Sequence, residues 1–319
     1  MGEAARIMTG AQMPQGADAV IPVEDTDFHS HIAGTPAPEA ISFTRQIRSG
    51  ENVRRRGMNL GTGEVILQKG RRIRPQDMGL MAMLGISRVS VHKRPRVALV
   101  SSGDELLEVG AALEDGKIRD SNTYALMAMI ESAGAEGIRM GIARDNFESV
   151  ASLFEGAVGE GVDLILSSAG VSVGAFDYIK EVVEARGRLE FWKVNMRPGK
   201  PLAFGEYRGI KMIGLPGNPV SAFVGFEVFV RAALEMLAGR LDGGHAHVRV
   251  RCSEQVESDG RESYLRARIQ LKDEVLTAQL TGHQGSGNLL SLVQADALLI
   301  IPAGVKCVPA GKEVEAILL

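Results

Sequence analysis

The chain has 319 residues, 45% hydrophobic and 24% charged, with a formal net charge of -3 at pH 7. That length holds about two to three domains, each able to bury a core without disulfide or metal support, and the near-neutral charge excludes a chain-wide grip on nucleic acid. Its two cysteines, Cys252 and Cys307, are too few for a disulfide framework, so a cytoplasmic protein with two buried or half-buried thiols is expected.

Residues 1–20 carry no basic segment followed by an apolar stretch, and Arg6 stands where a myristoylation signal takes Ser or Thr, so no targeting signal is expected. Residues 1–50 read as short β segments joined by Gly and Pro turns, followed by basic RSGENVRRRGMNLG and helix-like PQDMGLMAMLG. From Arg96 to Ala238 short apolar runs alternate with amphipathic stretches, the signature of a mostly parallel sheet covered on both faces. Strands are predicted at 96–102, 137–143, 162–168, 189–194 and 209–215, each apolar enough to be buried on both sides. Between them, Asp120 or Ser121 caps a helix with Tyr124, Met127 and Ile130 on its apolar face and Gly134 as its stop. Asp177 opens a second helix that ends at Gly187, and Gly217-Asn218-Pro219 starts a third with proline just inside. The apolar stretch Pro219 to Gly239 is broken by Glu227, Arg231 and Glu235, which form one polar stripe, so it is a covered core helix and not a membrane span. Residues 245–319 carry period-2 runs such as HVRVRCSE and SYLRARIQL, which predict a small β-barrel or sandwich. His245 and His247 lack a third ligand at zinc spacing and are read as strand residues.

The chemistry concentrates in four loops of the middle region. SSAGVSVGAFD (167–177) leaves a buried strand and enters a helix, where open α/β sheets bind ligands; its glycines admit an anion to the helix N-terminus, and Asp177 is either a magnesium ligand or an ordinary N-cap. SSGDEL (101–106) puts Asp104 and Glu105 on the same rim, as carboxylates for a hard cation or as a turn cap and a solvated side chain. FWKVNMRPGKP (191–201) gathers Lys193, Arg197 and Lys200, which suit phosphate or a tetrahedral oxyanion such as molybdate, or form a solvated charge run. GLPGNPVSA (214–222) repeats the strand, glycine turn and helix N-terminus arrangement. Four such loops at strand ends of one α/β unit predict a binding cleft, and the absence of Walker A, G-x-G-x-x-G and G-x-S-x-G patterns excludes ordinary NTPase, dehydrogenase and hydrolase readings.

In order along the chain, RIMTGA (6–11), RRRGMN (54–59), SSGDEL, IRDSN (118–122), AGVSVGAFDY (169–178), FWKVNMRPGKP and GLPGNPVSA closely resemble the molybdopterin molybdenumtransferases, that is bacterial MoeA and the E domain of gephyrin. The resemblance implies an α/β multidomain fold: a partial small β domain (1–50), part of an elongated dimerisation domain (51–93), a MogA-like doubly wound α/β molybdopterin-binding domain (94–241) and a C-terminal β-barrel domain (242–319). It implies Mg²⁺-dependent insertion of molybdate into adenylylated molybdopterin with release of AMP. It further implies a homodimer with its site between subunits, and contact with a MogA-type adenylyltransferase.

Motif by motif, the resemblance makes Glu105 and Asp177 metal-holding acidic residues and adds Asp104 and Asp145 as ligand contacts. Lys193, Arg197 and Lys200 become the basic group, Arg197 standing where many members have lysine. Thr9, Gly170, Ser172, Gly174, Pro216 and Pro219 become ligand contacts or loop-shaping residues. The family pattern departs at Met58 and Asn59, where Glu-Asp is usual, and the sequence starts almost on RIMTGA, so an upstream segment with a D-G-Y-A motif is expected to be missing from the small β domain. Two alternatives to turnover are a catalytically impaired molybdopterin-binding or scaffold protein, and an adenylyltransferase of the MogA type.

Overall fold

The computed structural model describes residues 2–28, 34–169, 175–241 and 244–319, giving the backbone alone at Ala169 and at 175–177. The chain divides into two units, Met1–Gln68 and Lys69–Leu319.

Among the described residues of the first unit the expected β segments do not form. Its described residues contain one 3₁₀ turn, Val23–Asp25, and one isolated bridge, Thr26 to Phe43. The reason is physical: none of these residues is buried, so short extended segments here have no core to face and no ladder to offset the entropy of ordering them. Local bonds hold it instead. Gly50 N–H donates to the Asp18 carbonyl at 2.8 Å and Val20 N–H to Glu51 at 3.0 Å, while Arg45 bridges Asp25 and Glu51 at 2.9 and 2.5 Å.

The second unit opens with α1 (Pro75–Met83), the helix expected from PQDMGLMAMLG, with Pro75 at its first position. The α/β region then runs β1 (Arg96–Ser102), β2 (Leu106–Leu107), β3 (Ile118–Arg119), α2 (Ser121–Ser132), β4 (Glu136–Ala143), α3 (Phe147–Gly159), β5 (Leu164–Ala169) and α4 (Ala175–Arg186). It continues β6 (Gly187–Lys193), β7 (Met196–Arg197), β8 (Pro201–Tyr207), β9 (Ile210–Leu215), α5 (Pro219–Gly225), a π-helical turn (Phe226–Val230) and α6 (Arg231–Leu237). The main sheet has the order β4-β1-β5-β9-β8-β6. β4, β1, β5 and β9 are mutually parallel, β8 is antiparallel to β9, and β6 is antiparallel to β8. One core fills the face bearing Val100, Phe154, Ile165 and Val182, and the other the face bearing Leu99, Leu126, Leu166 and Phe226. This is the covered, mostly parallel sheet that the sequence predicts.

Several expectations need correction. The segment at 189–194 is not buried on both sides: β6 is the sheet's edge, with Glu190, Phe191 and Lys193 exposed. β8 was not predicted. Its Gly205 is required by close strand approach, because a Cβ there would stand 2.5 Å from the Arg188 carbonyl oxygen. Tyr124 lies outside the apolar face of α2, which buries Thr123, Leu126, Met129 and Ile130; its exposed ring instead has the Arg139 guanidinium 5.5 Å from its centroid. Asp177 does not open α4 but is its third residue, and Gly187 is not a helix stop but the first residue of β6, where a Cβ would collide with the Glu206 carbonyl. Asp120 does cap α2, accepting the Thr123 N–H at 3.0 Å, and Gly134 adopts φ +84° after it.

The C-terminal strands are β10 (His247–Cys252), β11 (Val256–Glu257), β12 (Glu262–Lys272), β13 (Val275–Leu280), β14 (Ala297–Ile301), β15 (Cys307–Val308) and β16 (Glu313–Leu318), with α7 (Leu289–Val293) before β14. β13-β10-β16-β14-β12 closes on itself through the β12–β13 hairpin, giving a five-strand barrel around Val250, Cys252, Leu265, Leu299 and Ala316. Cys252 is buried but Cys307 is exposed, against expectation. His245 precedes the barrel's first strand and reaches back to buried Glu227, so only His247 is a strand residue. β7, from the α/β region, pairs parallel to β12, and Met196, Val220, Val224, Tyr264, Leu292, Leu298 and Ile317 form one cluster joining barrel and sheet.

Candidate functional site

The carboxyl ends of β4, β1, β5 and β9 form one rim, and β6 ends on the same rim because two antiparallel steps restore its direction. Ligands of open α/β sheets bind at this edge. Its acidic end lies at β1 and β4. Asp104 N–H donates to the Asp145 carboxylate at 3.4 Å, and Asp145 N–H donates to the Asp104 carboxylate at 3.3 Å. Gly103 makes this turn at φ +147°, and a Cβ there would lie 2.7 Å from the Glu105 carboxylate, which folds back over it. Burial raises the Asp145 carboxyl above its ordinary value and the nearby Asp104 and Glu105 charges add to the rise, against the lowering bond from Asp104 N–H. The other Asp145 oxygen, Oδ1, is buried without a hydrogen-bond partner. Among the described residues no three His, Cys, Asp or Glu side chains stand close enough to hold a metal ion.

The middle of the rim is the exit of β5. Gly170, Ser172 and Gly174 lie outside the described residues, as does the side chain of Asp177; the backbone puts Asp177 in the first turn of α4. Beside it, Pro216 is buried after β9 and Pro219 is half-buried at the first position of α5. Asn122, the second residue of α2, joins the two exits: its Nδ2 donates to Ser168 Oγ at 3.0 Å and to the Gly217 carbonyl at 2.7 Å.

The basic end lies at β6 and β8. Exposed Lys193 ends β6 opposite Pro201, and exposed Lys200 turns the hairpin, its carbonyl accepting Val194 N–H at 2.9 Å. Half-buried Arg197 is drawn away from both onto β12, in register with Ser263. There it joins Arg261, which donates to the Met196 carbonyl at 3.0 Å, and Asp259, whose carboxyl is held at about 2 by its bonds with Arg261, with Arg197 contributing. Four strand steps separate β1 from β6, so the acidic and basic ends stand about 20 Å apart. The structure thus brings Asp104, Glu105 and Asp145 together, keeps Lys193 and Lys200 at one β6–β8 turn, and places Arg197 apart from them on the barrel side. Thr9 sits in an exposed turn of the first unit.

The barrel supplies a part that the sequence reading missed. Arg266 is fully buried and donates to Ser291 Oγ at 2.9 Å and to the carbonyls of Gly285, His283 and Gln284 at 3.0, 3.3 and 3.3 Å. Burial and then the neighbouring Arg197 charge push its guanidinium down to about 10. The loop that it grips meets the rim, since Val220 N–H of α5 donates to the Ser286 carbonyl at 3.1 Å. The run TGHQGSG after β13 was the available signal.

Three family models match this chain: the MoeA N-terminal region (domain I and II) over residues 1–85, a probable molybdopterin binding domain over 98–236 and the MoeA C-terminal region (domain IV) over 249–319. The molybdopterin molybdenumtransferase of Nostoc is 35% identical over 323 residues, covering 98% of this chain and 71% of that one. The chain belongs to the molybdopterin molybdenumtransferase family. The family's Staphylococcus aureus member (strain COL) is 34% identical over 99% of this chain and 74% of its own length. Among solved structures, the MoeA protein of Pyrococcus horikoshii superposes with a TM-score of 0.78 at 32% identity, over 97% of this chain and 74% of that chain. A molybdenum cofactor biosynthesis protein from Pyrococcus furiosus gives 0.65 at 30% identity, over 82% of each chain.

Proposed function

We propose that this chain inserts molybdate into adenylylated molybdopterin and releases AMP. As a member of its family it is a transferase of molybdenum cofactor biosynthesis, and curated relatives that align over 98% and 99% of it carry transferase names, so binding or scaffolding without turnover is not favoured. The observation that carries the reading is the rim itself: carboxylates at one end, cations at the other, and loop exits between them. That charge pattern suits a long ligand with phosphates near its middle and an oxyanion at one end.

In this reading residues 94–241 bind the substrate and residues 242–319 complete the wall at the basic end. Lys193, Arg197 and Lys200 draw in molybdate and offset the charge that phosphates bring beside it. Gly170, Ser172, Gly174, Pro216 and Pro219 shape the phosphate-facing loops. What supports a magnesium ion at the acidic end is Asp145 Oδ1, a buried acceptor without a hydrogen-bond partner that feels the Asp104 and Glu105 charges, although among the described residues no three such side chains already stand at ligating distance. Glu105 and Asp177 would hold it with Asp104 and Asp145 nearby, two carboxylates and substrate phosphates being what Mg²⁺ usually takes. When bound, the ion supplies neutralisation of phosphate charge. The homodimer, contact with a MogA-type adenylyltransferase and a cytoplasmic home belong to the same proposal; among the described residues no helix is long and apolar enough to cross a membrane.

The test is AMP release from adenylylated molybdopterin, followed by chromatography. Release is expected only with molybdate and Mg²⁺ together, and Asp177→Asn is expected to lower kcat about 100-fold. Folded wild-type protein that releases no AMP under these conditions would overturn the proposal.

A further inference from the structure

We infer that Asn122 is a positioning residue that fixes the ends of β5 and β9, at Ser168 and Gly217, at one separation. The inference rests on the proposed function for its consequence in turnover, but its geometry is independent of it. The first turn of α2 is immobilised from below: the Asp120 carboxylate accepts Thr123 N–H at 3.0 Å and Thr123 Oγ1 at 2.5 Å, and Thr123 Oγ1 lies 2.7 Å from Ser101 Oγ. Asp120, Ser101 and Thr123 are all at most 3% exposed, so this anchor to β1 is a dry polar network with every member bonded.

From that fixed turn the Asn122 amide spends both of its hydrogens on other elements. One goes to Ser168 Oγ, the last described side chain before the Gly-rich loop, and one to the Gly217 carbonyl beyond Pro216. A carbonyl can only accept, so the amide nitrogen must face Gly217 and the orientation of the side chain is determined. Ser101, Ser168 and Leu215 stand side by side across β1, β5 and β9, so one network spans three neighbouring strand exits. Gln is a methylene too long for the same two contacts. Asp has the right shape but no donor: the Ser168 hydroxyl can turn to donate to it, whereas the Gly217 carbonyl would face a carboxylate oxygen.

The test compares wild type with Asn122→Asp and Asn122→Ala by hydrogen exchange, thermal unfolding and AMP-release kinetics. Both variants are expected to unfold within a few degrees of wild type, with faster exchange confined to peptides 164–169 and 213–218 together in Asn122→Ala and to 213–218 chiefly in Asn122→Asp, where Ser168 can still donate. KM for adenylylated molybdopterin is expected to rise about tenfold, with KM for molybdate unchanged, because the basic end has its own supports. In Asn122→Ala, unchanged exchange at both peptides or a change at only one, and in either variant exchange raised through the whole chain or an unchanged KM, would each overturn the inference. Absence of AMP release by wild type would instead sink the proposed function, leaving the exchange experiment to decide the geometry.

Discussion

Replacing Arg266 by Met tests how the barrel loop is held against the rim. The guanidinium is fully buried, and among the described residues its hydrogen bonds go to one hydroxyl and three carbonyls, not to a carboxylate. Holding a cation there has a cost: a fall from 12.5 to about 10 corresponds to roughly 3 kcal/mol against the charged form. Against it stand two short bonds from a cation at roughly 2 kcal/mol each and two longer ones at about 1 kcal/mol each, which leave about 3 kcal/mol in favour of the native side chain. Met fills a similar volume but satisfies none of the four acceptors, so Arg266→Met is expected to lower Tm by about 6–12 °C for a unit of this size. Calorimetry gives the stability. Hydrogen exchange gives the location, with faster exchange expected at 282–288 and at Val220, whose N–H depends on the Ser286 carbonyl. A variant within about 0.5 kcal/mol of wild type, or a loss spread evenly over the barrel, would refute the claim that Arg266 is there to hold this loop.

Other outcomes follow from the same geometry. Asp145→Asn should stabilise the protein slightly at neutral pH, by less than about 1 kcal/mol. The native carboxyl is raised on folding, so its penalty is full at neutral pH and vanishes as pH falls below 3.8; equal denaturation midpoints at pH 7 would count against the crowding of carboxylates. Added Mg²⁺ should raise Tm for wild type and less for Asp145→Asn, and an equal rise in both would remove Asp145 from the acidic end. Gly103→Ala, at φ +147° and 2.7 Å from Glu105, should cost about 1–3 kcal/mol in chemical denaturation and weaken Mg²⁺ stabilisation, because Glu105 must move. Glu227 is 6% exposed; burial opposes its charge, but bonds from Arg231 and His245 outweigh that and hold the carboxyl below 4.5. Glu227→Gln should therefore lose about 2–4 kcal/mol at pH 7, with the gap to wild type closing as pH falls through the lowered native value; a gap that does not narrow at all as pH is taken below 4.5 would refute the ion-pair account.

The parts of this molecule that were readable from sequence are those whose signal is local. β1 announces itself because six of its seven residues are buried in succession, and the barrel's first strand because inward and outward residues alternate along β10. β8 hides because Pro201, Gly205 and Glu206 read as a turn, and its glycine has meaning only beside Arg188 on the neighbouring strand. The same division runs through the site. Carboxylates, cations and glycine runs point to the class of ligand proposed above, since their chemistry is carried by the residue itself. Their arrangement was not readable: Asp104 meets Asp145 across 41 residues, and Asn122 meets Ser168 and Gly217 across 46 and 95. Arg197 shows what that costs a sequence reading. Its neighbours in the chain group it with Lys193 and Lys200, but pairing of β7 with β12 commits it to the barrel beside Arg261 and Arg266. The basic end of the rim is therefore assembled from two structural regions, and a change in the barrel that shifts β12 moves Arg197 relative to Lys193 without touching either residue.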